Sequence, residues 1–189
     1  MPRLGVLVKL AILVAGTSLL LLSACAAPVG EATRGAPLGF DPALDFPIIA
    51  TQGLPVLEGS EAQFSTLFDQ GKPIVLNFWA GNCPPCRAEM PDFQRIHEAY
   101  SDRVLIIGLD VGPFVGLGSH EDGLHLLRQL GVTYPAGTTS DANVVRAYTV
   151  SGMPTTAFFT AEGKLLTKRT GLVTSSQVLA ILEQIWQGS

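Results

Sequence analysis

Residues 74–86 read Ile-Val-Leu-Asn-Phe-Trp-Ala-Gly-Asn-Cys-Pro-Pro-Cys, an apolar run followed by a CxxC motif. The run 74–79 is typical of a buried strand. The two prolines suit the first turn of a helix, where backbone N–H groups have no helical partner in any case. The pattern therefore predicts that a strand delivers Cys83 and Cys86 to the start of a helix. Two cysteines in that position are typical of a redox-active pair.

The first cysteine of the pair is predicted to be the nucleophile. Unpaired N–H groups at a helix N-terminus carry partial positive charge, which favours a thiolate at Cys83. One helical turn later, Cys86 can attack a mixed disulfide between Cys83 and a substrate and release the product. These two steps complete a cycle of thiol–disulfide exchange. The prediction therefore includes no cofactor.

A zinc site and an inert structural disulfide are the two alternatives for this motif. A zinc site needs two further Cys or His ligands at suitable spacing. The other residues of these types, Cys25, His97, His120 and His125, do not form a second pair. We therefore predict no metal site and interpret the cysteine pair as redox-active.

The N-terminal segment has the pattern of a secretory leader. Arg3 and Lys9 precede the almost wholly apolar residues 10–22, and no acid accompanies them. The Leu-Ser-Ala-Cys that follows resembles the lipobox of bacterial lipoproteins. We predict a lipoprotein signal peptide at 1–24 and a lipid on Cys25, which anchors an extracytoplasmic protein to the bacterial cell membrane. An uncleaved signal anchor and an ordinary signal peptide remain as alternatives.

Composition divides the rest of the chain into a tether and one domain. Residues 25–45 are rich in Ala, Pro and Gly and predict a flexible tether. Residues 46–189 have the length of a single domain. Removal of residues 1–24 takes two of the 12 basic residues and none of the 16 acidic ones, which leaves a net charge of −6. This acidity argues against nucleic acid as a partner.

Local patterns predict an α/β domain with a mixed central sheet and helices on both faces. The continuous apolar run 104–110 suits a strand covered on both faces, so residues 74–110 form a βαβ unit with parallel strands. Residues 155–160 and 164–169, joined by Ala-Glu-Gly, predict an antiparallel hairpin. Further elements are predicted as strands at 46–50 and 54–57, and as helices at 61–69, 83–100, 119–131, 142–148 and from Thr174 onwards.

Two stretches, 79–91 and 148–156, together resemble the TlpA/ResA-like branch of the thioredoxin superfamily. They read Trp-Ala-Gly-Asn-Cys-Pro-Pro-Cys-Arg-Ala-Glu-Met-Pro and Tyr-Thr-Val-Ser-Gly-Met-Pro-Thr-Thr. The resemblance implies a thioredoxin fold with an N-terminal strand extension over nearly all of residues 46–189. It also implies a membrane-tethered thiol–disulfide oxidoreductase outside the cytoplasm. Its substrates would be protein thiols and disulfides, and a membrane thiol carrier would be its electron donor.

The resemblance also assigns residues to a substrate groove. Pro154 matches the cis-proline that lies against the active-site disulfide, and Met153 precedes it. A proline has no N–H, and the backbone before it is left free to pair with an extended substrate beside Cys83. An ordinary loop proline is the alternative. Trp79 is kept from the family pattern, as a candidate groove residue or as core packing.

An acid–base role is implied for Glu89, which matches a glutamate three residues after the second cysteine in ResA-like proteins. A solvated acid at the start of a helix is the alternative. Asn77 stands where many thioredoxins carry a buried aspartate, and its amide cannot titrate. Asn82 replaces the usual tryptophan before the first cysteine, which makes the surroundings of the sulfur more polar.

The expected function is the reduction of protein disulfides outside the cytoplasm. The branch often serves cytochrome c maturation, where it reduces haem-attachment cysteines of apocytochromes. A thiol peroxidase of the peroxiredoxin type is one alternative, although it would need Thr or Ser where Ala80 stands. A copper chaperone that holds the metal through Cys83, Cys86 and a histidine is another.

Overall fold

A computed structural model of the chain describes residues 37–54 and 61–188. Within these ranges, seven strands form one sheet in the order β2-β1-β5-β4-β3-β6-β7. The strands are β1 Pro47–Gln52, β2 Glu61–Gln63, β3 Ile74–Trp79, β4 Leu105–Asp110, β5 Ala136–Thr138, β6 Thr155–Phe159 and β7 Leu165–Thr170.

The sheet is mixed, as predicted. β3 runs parallel to β4, with Trp79 opposite Asp110 at the end that carries the cysteines. β4 runs parallel to β5, whereas β3 and β7 both pair antiparallel with β6. The predicted βαβ unit and the predicted hairpin are therefore both confirmed. On the other side, β1 pairs antiparallel with β5 and β2 with β1, which forms the N-terminal extension of the sheet.

Two of the helices, α3 and α5, begin where the sequence provides a capping box. Ser119 and Asp122 form a capping box, as do Thr174 and Gln177, and each box satisfies N–H groups that the first helical turn leaves unpaired. The described residues form the α-helices α1 Pro84–Tyr100, α2 Gly112–Val115, α3 His120–Leu130, α4 Asn143–Ala147 and α5 Ser175–Gln187, and the 3-10 helices Pro42–Leu44 and Phe64–Gln70.

The sheet separates two cores because successive side chains of a strand point to opposite faces. Val75 and Trp79 of β3 pack with α1, α3 and α5 on one face. Leu76 and Phe78 pack on the other face, with α4 and with a group of aromatic rings. Helices therefore cover both faces, as predicted, and β3 is buried at every position. This burial fixes the strand that leads into the CxxC motif.

The edge elements differ from the sequence prediction. The predicted helix at 61–69 is instead β2 followed by a 3-10 helix, because Gln63 keeps an extended backbone and residues 61–63 pair with β1. Of the predicted strand 54–57, Leu54 lies outside any strand and the rest falls outside the described residues. α2 and β5 were not predicted, since each is only three or four residues long and carries no periodic pattern.

The folded domain begins earlier than residue 46. Phe40 is buried against Phe64 and Phe68, and the Asp45 carboxylate accepts hydrogen bonds from the N–H and hydroxyl of Ser65. The predicted tether therefore does not include these residues. The predicted signal peptide 1–24, Cys25 and the tether up to residue 36 lie outside the described residues. In the part of the chain that is described, no helix is long and apolar enough to span a membrane.

Candidate active site

The two cysteines lie at the start of α1, directly after β3. Cys83 is the N-cap residue of α1, and Pro84 and Pro85 occupy its first turn. The backbone N–H of Cys86 donates a hydrogen bond to Cys83 Sγ over 3.3 Å. The two sulfurs form a disulfide. The predicted delivery of a CxxC pair by a strand to a helix N-terminus is therefore confirmed.

The two sulfurs differ in their access to solvent. Cys83 is 4% exposed and Cys86 is fully buried. Cys83 also lines a surface groove of about 420 Å³, together with Pro84, Pro85, Leu117 and other mostly apolar residues. A substrate can therefore reach Cys83 from this groove, whereas Cys86 can be reached only from within the protein. This asymmetry fits attack by Cys83 and resolution by Cys86.

Met153 is another lining residue of this groove. The Met153–Pro154 peptide bond is cis, as the family resemblance implies. Met153 lines the groove beside Cys83. Its backbone makes no hydrogen bond with any residue that the structure describes, whereas the Pro154 carbonyl accepts one from the Gly171 N–H. The free N–H and C=O of Met153 can pair with the backbone of an extended polypeptide.

Glu89 is buried on α1, one turn after Cys86, so the alternative of a solvated acid is wrong. Its Oε2 accepts a hydrogen bond from the Val173 N–H at 3.0 Å, and its Oε1 accepts one from Asn77 Nδ2 at 2.7 Å. Burial raises the pKa of this carboxyl to about 7, because both hydrogen bonds lower the pKa by less than desolvation raises it. Glu89 can therefore exchange a proton near neutral pH.

Asn77 provides Glu89 with a partner in either protonation state. Its Nδ2 donates to Glu89 Oε1 and, at 3.0 Å, to Thr156 Oγ1. Its Oδ1 is buried and has no hydrogen-bond partner among the described residues. Rotation of the amide by half a turn would turn Oδ1 towards Glu89, where it could accept the proton of a neutral carboxyl group. The Asn77–Glu89 pair can therefore hold one proton on α1, one helical turn after Cys86.

Trp79 is part of the core and not of the groove. The side chain is almost fully buried, and the Cβ of an alanine at Gly108 would lie only 2.8 Å from its Nε1. Trp79 packs instead with Cys86 and the α1 side of the sheet. The prediction of a substrate contact at Trp79 is therefore corrected to core packing, which was its alternative.

Comparison with known proteins places the chain in a family. Residues 61–186 match the family model described as a thioredoxin-like domain. The chain belongs to the thioredoxin-like family. Among its relatives, the thiol-disulfide oxidoreductase ResA of Bacillus subtilis is 32% identical over 126 residues, which cover 65% of this chain and 67% of the relative. The ResA of Halalkalibacterium halodurans is 29% identical over 132 residues, or 68% and 70% of the two chains.

A solved structure supports the same assignment. The structure described as the pneumococcal exposed lipoprotein thioredoxin Etrx1 of Streptococcus pneumoniae aligns with a TM-score of 0.59 at 26% identity. The alignment covers 74% of this chain and 98% of the pneumococcal chain. The predicted resemblance and the thioredoxin fold are confirmed. This thioredoxin-like protein is a thiol–disulfide oxidoreductase of the ResA-like type.

Asp110 and His120 join the end of β4 to the start of α3 in this thioredoxin-like protein, a contact that sequence reasoning did not assign. Asp110 is buried at the end of β4; its carboxylate accepts a hydrogen bond from the Gly112 N–H and lies 3.2 Å from His120 Nδ1. Burial raises the pKa of Asp110. The only feature of the sequence that could have indicated this contact is an acid at the carboxyl end of the strand next to the CxxC strand.

Within the described ranges, no three Cys, His, Asp or Glu side chains lie close enough to hold a metal ion.

Gly81 allows the loop before Cys83 to pack directly on α3. A Cβ at position 81 would lie 2.5 Å from the backbone carbon of Asp122, a distance that real Cβ atoms do not show. We expect Gly81→Ala to lower the free energy of unfolding by roughly 1–3 kcal/mol, because backbone must move to make room. Denaturant unfolding would measure this loss.

Gly152→Ala is the matched control for this substitution. A Cβ at Gly152 would meet only a Thr170 methyl group, at 3.1 Å, which is the tip of a side chain. We expect a clearly smaller loss of stability there. Equal losses at the two positions would contradict the tight packing of the loop on α3.

Proposed function

We propose that this thioredoxin-like protein reduces protein disulfides outside the cytoplasm, and that lipid on Cys25 holds it at the bacterial cell membrane. The observation that carries the proposal is the asymmetric pair: Cys83 opens to a groove, and Cys86 is buried near Glu89. The sequence of residues 1–25 and the lipoprotein described among the similar structures support the anchor.

The surroundings of Cys83 favour the reducing direction. Pro84 and Pro85 remove two N–H groups from the helix start, so that Cys86 N–H is the donor to Cys83 Sγ. The groove around this sulfur is mostly apolar. Both features stabilise a thiolate less than a full set of helix N–H groups would. Because a stabilised thiolate makes a dithiol pair more oxidising, weaker stabilisation makes this pair more reducing.

The exchange would run in two steps. The Cys83 thiolate attacks one sulfur of a substrate disulfide; an S–S bond to the substrate forms, and the other substrate sulfur leaves as a thiolate. Cys86 then gives its proton to the Glu89 carboxylate and attacks Cys83 Sγ. The mixed disulfide breaks, the second substrate thiolate leaves, and the substrate has gained two electrons. Cys83 and Cys86 end as the disulfide, which a membrane thiol carrier would reduce again.

Substrate reduction can be tested with a haem-attachment peptide. The family resemblance points to apocytochrome c cysteines, so the probe is a CxxCH peptide that contains an internal disulfide. We expect the reduced protein to convert this peptide to its dithiol form, followed by mass spectrometry after alkylation. Oxidation of the reduced peptide by the oxidised protein, with no reaction in the opposite direction, would contradict the proposal.

The lipid anchor can be tested separately on the full chain. Metabolic labelling with a fatty acid is expected to label the protein and to fail in Cys25→Ser, with loss of the protein from the membrane fraction. Cys86→Ser is the control, since it also removes one thiol but leaves Cys25 in place. Equal labelling of the wild type and Cys25→Ser would contradict anchoring at Cys25.

A further inference from the structure

A second apolar depression lies next to the redox groove. It has a volume of about 520 Å³ and is lined by Phe114 of α2, by Ala142, Val145 and Arg146 in and around α4, and by Thr149 after that helix. Phe114 is 37% exposed, a high value for a large aromatic side chain. The disulfide chemistry described above does not use any of these residues.

The depression and the redox groove share a wall. Val150 and Ser151 line both of them, so the two form one continuous surface that leads from Cys83 to Phe114. Val150 and Met153 are three residues apart, so at most about 10 Å of chain separates them. An extended polypeptide that pairs with Met153 covers this distance in about three residues. A protein substrate that is bound at Cys83 and extends towards Val150 can therefore reach the depression.

Backbone strain marks the rim of the depression. Thr149 has a φ of +50°, in the left-handed region that a β-branched residue rarely adopts. The turn is held because the Thr149 N–H donates to the Arg146 carbonyl and the Val150 N–H donates to the Val145 carbonyl. Strained backbone of this kind tends to occur at ligand sites. Here it sets the position of Val150, which belongs to both cavities.

We propose that the depression is a specificity subsite, which accepts an apolar side chain about three residues from the reacting cysteine of a protein substrate. This inference rests on the proposed reductase function and names the substrate class that it favours. The occupant is a segment of the substrate protein, because the subsite is continuous with the groove that holds the substrate sulfur. Arg146 is the charged residue of the lining, so the subsite accepts a neighbouring carboxylate and disfavours a lysine.

The test compares disulfide-linked dimers of a short peptide that differ only three residues before and after the cysteine. Leucine, serine or lysine occupies both positions, since an extended chain could lie in the groove in either direction. We expect the reduced protein to act on the leucyl peptide about 10-fold faster than on the seryl peptide, with the lysyl peptide slowest. The readout is the ratio of rate constants, which cancels a general loss of activity.

Variants then assign the selectivity to the subsite. Phe114→Ser and Val145→Ser are expected to reduce the leucyl-to-seryl ratio to about 2-fold, because each removes apolar surface from the lining. Leu166→Ser is the matched control, because Leu166 is an exposed leucine on β7 and does not line either cavity; it should keep the wild-type ratio.

Each outcome bears on the inference. Equal rates for the leucyl and seryl peptides, or a wild-type ratio in both subsite variants, would overturn the subsite and leave the reductase function intact. Failure to reduce any of the peptides, and glutathione disulfide as well, would overturn the reductase function together with the subsite that depends on it.

Discussion

Cys83→Ser is expected to abolish thiol–disulfide exchange, with a rate at least roughly 10³-fold below that of the wild type. The reason is that Cys83 lines the substrate groove, whereas the sulfur of Cys86 is fully buried and cannot replace it. A serine hydroxyl in the same place does not ionise near neutral pH and does not form a stable bond to sulfur. Reduction of insulin by dithiothreitol, with and without the protein, measures the loss.

Cys86→Ser provides the contrasting variant. It keeps the attacking sulfur and removes the resolving one, so the mixed disulfide between Cys83 and the substrate should accumulate. Non-reducing electrophoresis and mass spectrometry detect this adduct. An adduct on Cys86 in the Cys83→Ser variant, with none on Cys83 in the Cys86→Ser variant, would reverse the assigned roles of the two cysteines.

The second large effect concerns the pH dependence of stability. The pKa of Glu89 is raised from 4.5 to about 7 in the folded protein. Between these pH values the folded state binds more protons than the unfolded chain, so stability falls as the pH rises. Below pH 4.5 the Glu89 carboxyl group of the folded protein is neutral, so its burial does not bury a charge. Above pH 7 the folded protein buries an anion, and the free energy of unfolding is lower by the full cost of that burial. A shift of this size corresponds to about 3 kcal/mol.

Glu89→Gln removes this titration with little change of shape. The amide oxygen of the introduced glutamine can accept from the Val173 N–H, and its NH₂ group can donate to Asn77 Oδ1 once the Asn77 amide has rotated. We expect the difference in unfolding free energy, wild type minus Glu89→Gln, to fall by about 3 kcal/mol from about pH 4.5 to about pH 7.5. Asp110 and the other acids contribute to both proteins and cancel in the difference.

Urea unfolding of the oxidised proteins across this pH range is the measurement. A difference that does not change with pH would show that Glu89 does not titrate between pH 4.5 and about 7. The steady-state rate of thiol–disulfide exchange separates stability from chemistry. The wild-type rate should rise through about pH 7 as the Glu89 carboxylate forms. The rate of Glu89→Gln should lack this rise and should be lower by roughly 10²-fold above that pH.

The central elements could be predicted from the sequence because each depends on a local signal. β3 and β4 are continuous apolar runs, since both of their faces are covered. α3 and α5 begin at capping boxes. β2 and β5 carry no such signal, because strands of three residues form only through their partners in the sheet.

The residues of the site also differ in whether a local sequence pattern indicates their role. The cysteine pair and the cis-proline belong to motifs that stand in the sequence. The burial of Glu89 and of Trp79 depends on how α1, α5 and β3 pack, so the sequence left two interpretations open for each residue. Asp110 contacts His120, ten residues further along the chain, and no local pattern signals such a contact.

The reduction potential of the Cys83–Cys86 pair tests the proposed direction of electron flow most directly. The full chain, with Cys25→Ser to remove the third thiol, would be equilibrated with glutathione and dithiothreitol redox buffers, with Cys83→Ser and Cys86→Ser as controls. We expect one two-electron transition near the reducing end of the range for this fold, about −270 mV. A potential near about −120 mV would identify an oxidant, and the absence of a reversible transition would contradict a redox-active pair altogether.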